Sequence, residues 1–196
     1  MPYYIRVLGK KLDNIPLEKL RHFSRPAILH SEAEGAAWER LVLSHKSGQE
    51  IAIIEKNPVV KGQLGADELQ DFMEDVAEYK PESAAMWLQQ YLPSVKVIYA
   101  FQLLSGTDEE DGWTPLHSLY AAIWDHAGGI LQADGEGISD EEGYTILWQF
   151  SDWATGTHKM GVLTDGVWLH FEMDLGNEQH RKAFLSGEVP DGAKTF

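Results

Sequence analysis

Ile130-Leu131-Gln132-Ala133-Asp134-Gly135-Glu136-Gly137 is the stretch on which the fold assignment turns, because a likeness of it stands earlier, at Ile28-Leu29-His30-Ser31-Glu32-Ala33-Glu34-Gly35. Four of the eight positions are identical and a fifth pairs Glu32 with Asp134. Both segments follow a short helical pattern. Both precede an aromatic-led strand pattern, residues 38–43 behind Trp38 and residues 144–150 behind Tyr144. Self-similarity of this kind is checked first, because missing a repeat misassigns the whole fold.

Working outward, residues 3–9 are rich in aromatic and β-branched side chains and predict a strand. Asp13 or Asn14 is placed to cap a short helix with Pro16 in its first turn and Leu17, Leu20 and Phe23 on one face. Strands are expected at 27–33, 38–45 and 50–55. Leu69, Phe72, Met73 and Val76 form an amphipathic stripe that predicts a helix over 66–79, and a second helix is expected over 82–92, between Pro81 and Pro93.

The second half opens with a strand at 95–104. A helix then runs from Thr114 as N-cap, with Pro115 at its first position, to Gly128-Gly129. Strands follow at 130–134, 144–150, 159–163 and 167–173, the last two joined by the hairpin signal Thr164-Asp165-Gly166, and a helix covers 177–185. The order strand, helix, strands, helix thus occurs twice. It predicts an α+β fold of two similar halves, residues 1–93 and 94–196, of the ferredoxin-like (split-βαβ) type. The sheet would be mainly antiparallel and backed by helices, with the halves either separate or joined in one continuous domain.

Composition narrows the function classes. Among 196 residues there is no cysteine, which removes disulfides, thiolate zinc sites and a cysteine nucleophile together. The N-terminal residues do not read as a signal peptide, and no run approaches the ~20 apolar residues of a membrane span, so a cytoplasmic, membrane-free setting is expected. The formal charge is −15 and lopsided: residues 1–60 carry a net +2 and residues 61–196 a net −17, with no Lys or Arg between Lys96 and Lys159. Nucleic-acid affinity comes largely from neutralising phosphates, so such a region repels that partner.

The candidate site residues are Trp113, Asp134, Glu136, Asp140, Trp153 and His158. The segment 132–143 packs five acids among glycines, as loops that hold hard cations do. Its spacing departs from the EF-hand, however: with Gly137 at the turn position the loop ends on Gly143 instead of a bidentate Glu. A glycine-rich hairpin loop is the other reading. Trp113 and Trp153 fall in expected loops beside Asp111 and Asp152, where an indole offers large contact area at low entropic cost. No two histidines stand at metal-ligand spacing, and no serine-nucleophile elbow, phosphate loop or dinucleotide fingerprint is present. No metal set and no cofactor is assigned.

Two functions are compatible with these residues. The first is a cytoplasmic, non-enzymatic binding or regulatory protein, monomer or homodimer, that engages a basic protein through its acidic, aromatic-bearing C-terminal half. The alternative is an enzyme or small-ligand binder, metal-assisted or not, in which Asp134, Glu136, Asp140 and His158 converge at one end of the sheet.

Overall fold

The computed structural model describes residues 3–31 and 37–196. Contacts group the chain into two compact units, Met1–Asp67 with Val95–Gly129 and Glu68–Ser94 with Ile130–Phe196. Each unit is a helix-backed sheet, and the fold is mixed α+β.

The first unit holds β1 (Tyr3–Gly9), α1 (Leu17–Phe23), β2 (Ile28–Ser31), β3 (Arg40–Ser44), β4 (Glu50–Pro58), the start of α2 (Leu64–Asp75), β5 (Val97–Leu103) and α4 (Trp113–Ala127). Its strands lie in the order β1-β5-β4-β3-β2, and each neighbouring pair is antiparallel. Four reversals leave β1 and β2 running the same way, joined through α1, with three strands between them. Residues 97–101 of β5 are all buried, and such a continuous apolar run suits a strand covered on both faces. This strand lies with the N-terminal strands because it hydrogen-bonds to β1 on one side and β4 on the other.

The helix ends are set by backbone proximity. Gly128 has φ +61 and Gly129 φ +109, and a Cβ on Gly129 would stand 2.1 Å from the Leu8 carbonyl oxygen. The glycine pair closes α4 as the sequence implies. The start of α4 differs from the expectation. Gly112 is the N-cap, Trp113 is helical, and Thr114 and Pro115 sit inside the first turn. A Cβ on Gly112 would lie 2.3 Å from the Gly106 oxygen, so the helix starts where only glycine can lie against the 3-10 turn Ser105–Asp108. Likewise the N-cap position of α1 is held by Pro16 and not by Asp13 or Asn14. The first copy of the sequence likeness runs into residues 32–36, so Glu32, Glu34 and Gly35 lie outside the described residues.

The second unit holds most of α2, α3 (Glu82–Tyr91), β6 (Ile130–Ala133), β7 (Gly137–Ser139), β8 (Thr145–Trp148), β9 (Thr157–Thr164), β10 (Val167–Asp174), α5 (Glu178–Leu185) and the short β11 (Lys194–Thr195). Its strands follow chain order, antiparallel except for the parallel pair β8–β9. A parallel connection has to cross a sheet face. Here residues 149–156 do so without a helix, and Phe150 and Ala154 pack onto a core of Met160, Val162, Phe171, Met173 and Phe184. α5 supplies Phe184 and is capped by Asn177, whose side chain accepts from the N–H groups of Gln179 and His180.

Strand alternation then separates two faces. Met160 and Val162 of β9, with Phe171 and Met173 of β10, face α5. Gly161, Trp168 and His170 therefore face the other way, where Trp87 of α3 meets Trp168 edge to face at 5.3 Å. Among the described residues no helix is long and apolar enough to cross a membrane.

Candidate functional site

The segment 132–143, expected as one loop, is two tight turns flanking β7. The first turn is closed by the Glu136 N–H donating to the Ala133 oxygen at 3.1 Å. Gly137 has φ +130, and a Cβ there would stand 1.8 Å from the Leu147 oxygen, so β7 leaves the turn pressed against β8. The second turn, Asp140-Glu141-Glu142-Gly143, carries Asp first and Gly fourth, the preference of a type I turn. The Gly143 N–H donates to the Asp140 oxygen at 3.2 Å, and Gly143 takes φ +87.

Asp140 is 5% exposed, and a buried carboxylate needs partners. Its Oδ1 accepts from the N–H groups of Glu142 and Tyr144, each at 3.0 Å, and its Oδ2 lies 2.7 Å from His170 Nε2. A carboxylate only accepts, so Nε2 carries the hydrogen. The imidazole lies against the Tyr144 ring, with centroids 3.8 Å apart and planes within 4°. Room for it comes from Gly161 on β9, where a Cβ would approach His170 Cδ2 to 3.1 Å. The other ring nitrogen, Nδ1, is 3.7 Å from Glu142 Oε2. With a carboxylate toward each nitrogen, the ring ties strand β10 to the turn. The Phe196 N–H donates to the His170 carbonyl at 3.0 Å, and the Phe196 ring lies 6.0 Å from that of Tyr144.

Above this pair is a cavity of about 420 Å³. Asp140, Glu141, Glu142 and His170 form its polar wall, and Trp87, Leu163 and Trp168 its apolar one. Trp87 stacks on Tyr91 at 4.7 Å, and the Tyr91 hydroxyl donates to Glu141 Oε1 at 2.6 Å, which joins α3 to the turn. Burial, reinforced by that hydrogen bond and the Glu141 charge, pushes the Tyr91 phenol far above its ordinary value. Among the described residues no Lys or Arg lines this cavity.

The six sequence-predicted residues are dispersed. Trp113 opens α4 in the first unit and is 51% exposed. Trp153 lies in the 149–156 crossover and is 84% exposed. Asp134 accepts from Gln132 Nε2 at 3.2 Å in the turn before β7. His158 opens β9, its Nε2 3.0 Å from Thr145 Oγ1 and its ring edge-on to Phe150 at 4.9 Å. Burial holds its imidazole below the ordinary value, and the charge of Glu136 opposes that shift, so these two are within electrostatic reach. Asp140 is at the opposite end of β7 from Asp134 and Glu136. It also bonds to His170, on the sheet face opposite His158. The convergence of Asp134, Glu136, Asp140 and His158 therefore does not occur, because a strand and a sheet separate them.

Trp87, Tyr144, Trp168 and His170 were missed as site residues. Period-two alternation along 167–173 could have set Trp168 and His170 on one face. Among the described residues no group of three or more His, Asp or Glu side chains is arranged to hold a metal ion. Comparison of the chain with protein-family models, with curated proteins and with solved structures finds no match.

Proposed function

We propose that this is a non-enzymatic binding protein whose partner is a basic protein, engaged through the acidic, aromatic-bearing surface of its C-terminal half. The observation that carries the reading is the cavity of the second unit. There three consecutive carboxylates, Asp140, Glu141 and Glu142, face two indoles, and among the described residues no Lys or Arg lines the cavity. Carboxylates accept charge-assisted hydrogen bonds from Lys or Arg, and indole faces attract the same cations through the ring quadrupole. The absence of Lys and Arg between Lys96 and Lys159 leaves the surrounding field unbroken and able to steer a cationic partner. Exposed Trp113 and Trp153 would serve as anchors, with Asp134, Glu136 and His158 contributing outside the cavity. A cytoplasmic setting and a monomer or homodimer belong to the same reading.

The test is capture of partners from native lysate at about 50 and about 300 mM salt, between which the Debye length falls by a factor of about 2.5. The wild type is compared with Glu109→Lys/Glu110→Lys and Glu142→Lys variants whose fold is checked by tryptophan fluorescence. The reading requires a stoichiometric basic protein that is released by salt and bound more weakly by the reversed variants. A blank, or a partner indifferent to both salt and charge reversal, rejects it.

A further inference from the structure

A second cavity of the same unit has the opposite character. It measures about 620 Å³ and is built on one face of α5. Glu178, Arg181, Lys182, Leu185 and Ser186 recur at the spacing that places side chains on a single helical face. Trp148, at the end of β8, and Leu185 provide apolar wall. Lys80 and Asp152 complete the lining.

Residues 61–196 contain only seven Lys and Arg against twenty-four Asp and Glu, and three of those seven, Lys80, Arg181 and Lys182, line this one cavity. They are weakly committed elsewhere. Lys80 Nζ reaches Glu82 only at 4.0 Å. Among the described residues neither Arg181 nor Lys182 has a carboxylate within 4.0 Å. Arg181 donates through Nη1 to the backbone oxygen of Asp152, which holds the guanidinium in place without neutralising it. Its Nε is buried and makes no hydrogen bond in the structure. A guanidinium held in place and not neutralised offers its remaining accessible N–H groups to an anion, and a carboxylate matches their planar geometry.

We infer that this cavity binds a small organic carboxylate with an apolar body, its carboxylate on Arg181 and Lys182 and its body against Trp148 and Leu185. Three cations against two carboxylates leave one net positive charge, which suits a monoanion better than a doubly charged phosphate. The cavity size falls within the range of small-molecule sites, about 300–1,000 Å³. This assignment is independent of the basic-partner reading, since none of the acidic-cavity residues takes part.

Titration calorimetry with 2-naphthylacetate, its neutral counterpart 2-naphthylethanol and inorganic phosphate tests it on the full chain. The carboxylate is expected to bind saturably, about tenfold or more tighter than the alcohol, as a charge-assisted bond implies. Arg181→Gln should remove most of that preference while leaving the alcohol's affinity unchanged. Glu178→Gln, which takes away a competing negative charge, should tighten carboxylate binding. The opposite signs of the two variants separate a site effect from loss of fold. Absence of saturable binding, equal affinity for acid and alcohol, or tighter binding of phosphate than of the carboxylate would each overturn the assignment.

Discussion

Removing the Asp140 carboxylate probes the centre of the acidic cavity. In Asp140→Ala three acceptor bonds vanish together: two from the backbone N–H groups of Glu142 and Tyr144 and one from His170. Asp140 is 5% exposed, so water does not readily replace it. Hydrogen bonds to a charged group contribute about 1.5–3 kcal/mol each, and a buried donor left without a partner costs about 1–3 kcal/mol. Allowing for partial rescue of the edge donors by solvent, the substitution should cost about 4 kcal/mol of the second unit's stability. Asp140→Asn retains an oxygen for the two N–H groups, but its amide now confronts the His170 Nε2 hydrogen. A tautomer change relieves that clash, so the cost should fall to about 1–2 kcal/mol. Urea unfolding followed by tryptophan fluorescence, with m-values compared between variants, measures both numbers. The account of the turn fails if Asp140→Ala costs less than about 1 kcal/mol, or if the two variants are equally destabilised.

Three further outcomes follow from the second unit. His158 is held below its ordinary value by burial, so the unfolded chain takes up a proton first as pH falls. The stability from the neutral ring is therefore complete above about pH 6.5 and declines as pH drops toward the folded value. His158→Gln should flatten this decline, and parallel stability profiles for the two proteins between pH 7 and 5 would refute it. Asn177→Ala strips the cap of α5 and should cost about 1 kcal/mol, read as a melting temperature lower by roughly 2–4 °C; an unchanged value contradicts the cap. Gly161→Ala places a Cβ 3.1 Å from His170 and 3.2 Å from Ile146 and should destabilise by about 1–2 kcal/mol, and Gly161→Val by more. If alanine is tolerated without loss in chemical denaturation, the close fit of the imidazole is disproved.

Local chemistry made much of the fold legible. The glycine pair at 128–129 and the Thr164-Asp165-Gly166 hairpin act over a few residues, and both stand where the pattern puts them. β5 was recognised as a strand, but its pairing with β1 and β4 was not, because periodicity does not name a neighbour. β7 was lost inside a glycine-rich acidic run, since three residues are too few for alternation to show against two turns. The same limit governed the site. Asp140 was singled out for its charge, yet what gives it a role is His170, thirty residues on, and no spacing rule links a turn aspartate to a histidine across an intervening strand. Trp87 and Trp168 meet only once α3 has docked on the sheet.

Strand β11 has a consequence of a different kind. Its two residues pair with Phe171 and Glu172, and the next residue, Phe196, is bonded to the carbonyl of His170. Residues 194–196 thus cover the outer edge of β10, where an uncovered row of N–H and C=O groups invites pairing with another chain. Loss of these three residues would have two effects. It would bare an adhesive sheet edge, and it would remove the hydrogen bond that Phe196 makes to the backbone of His170.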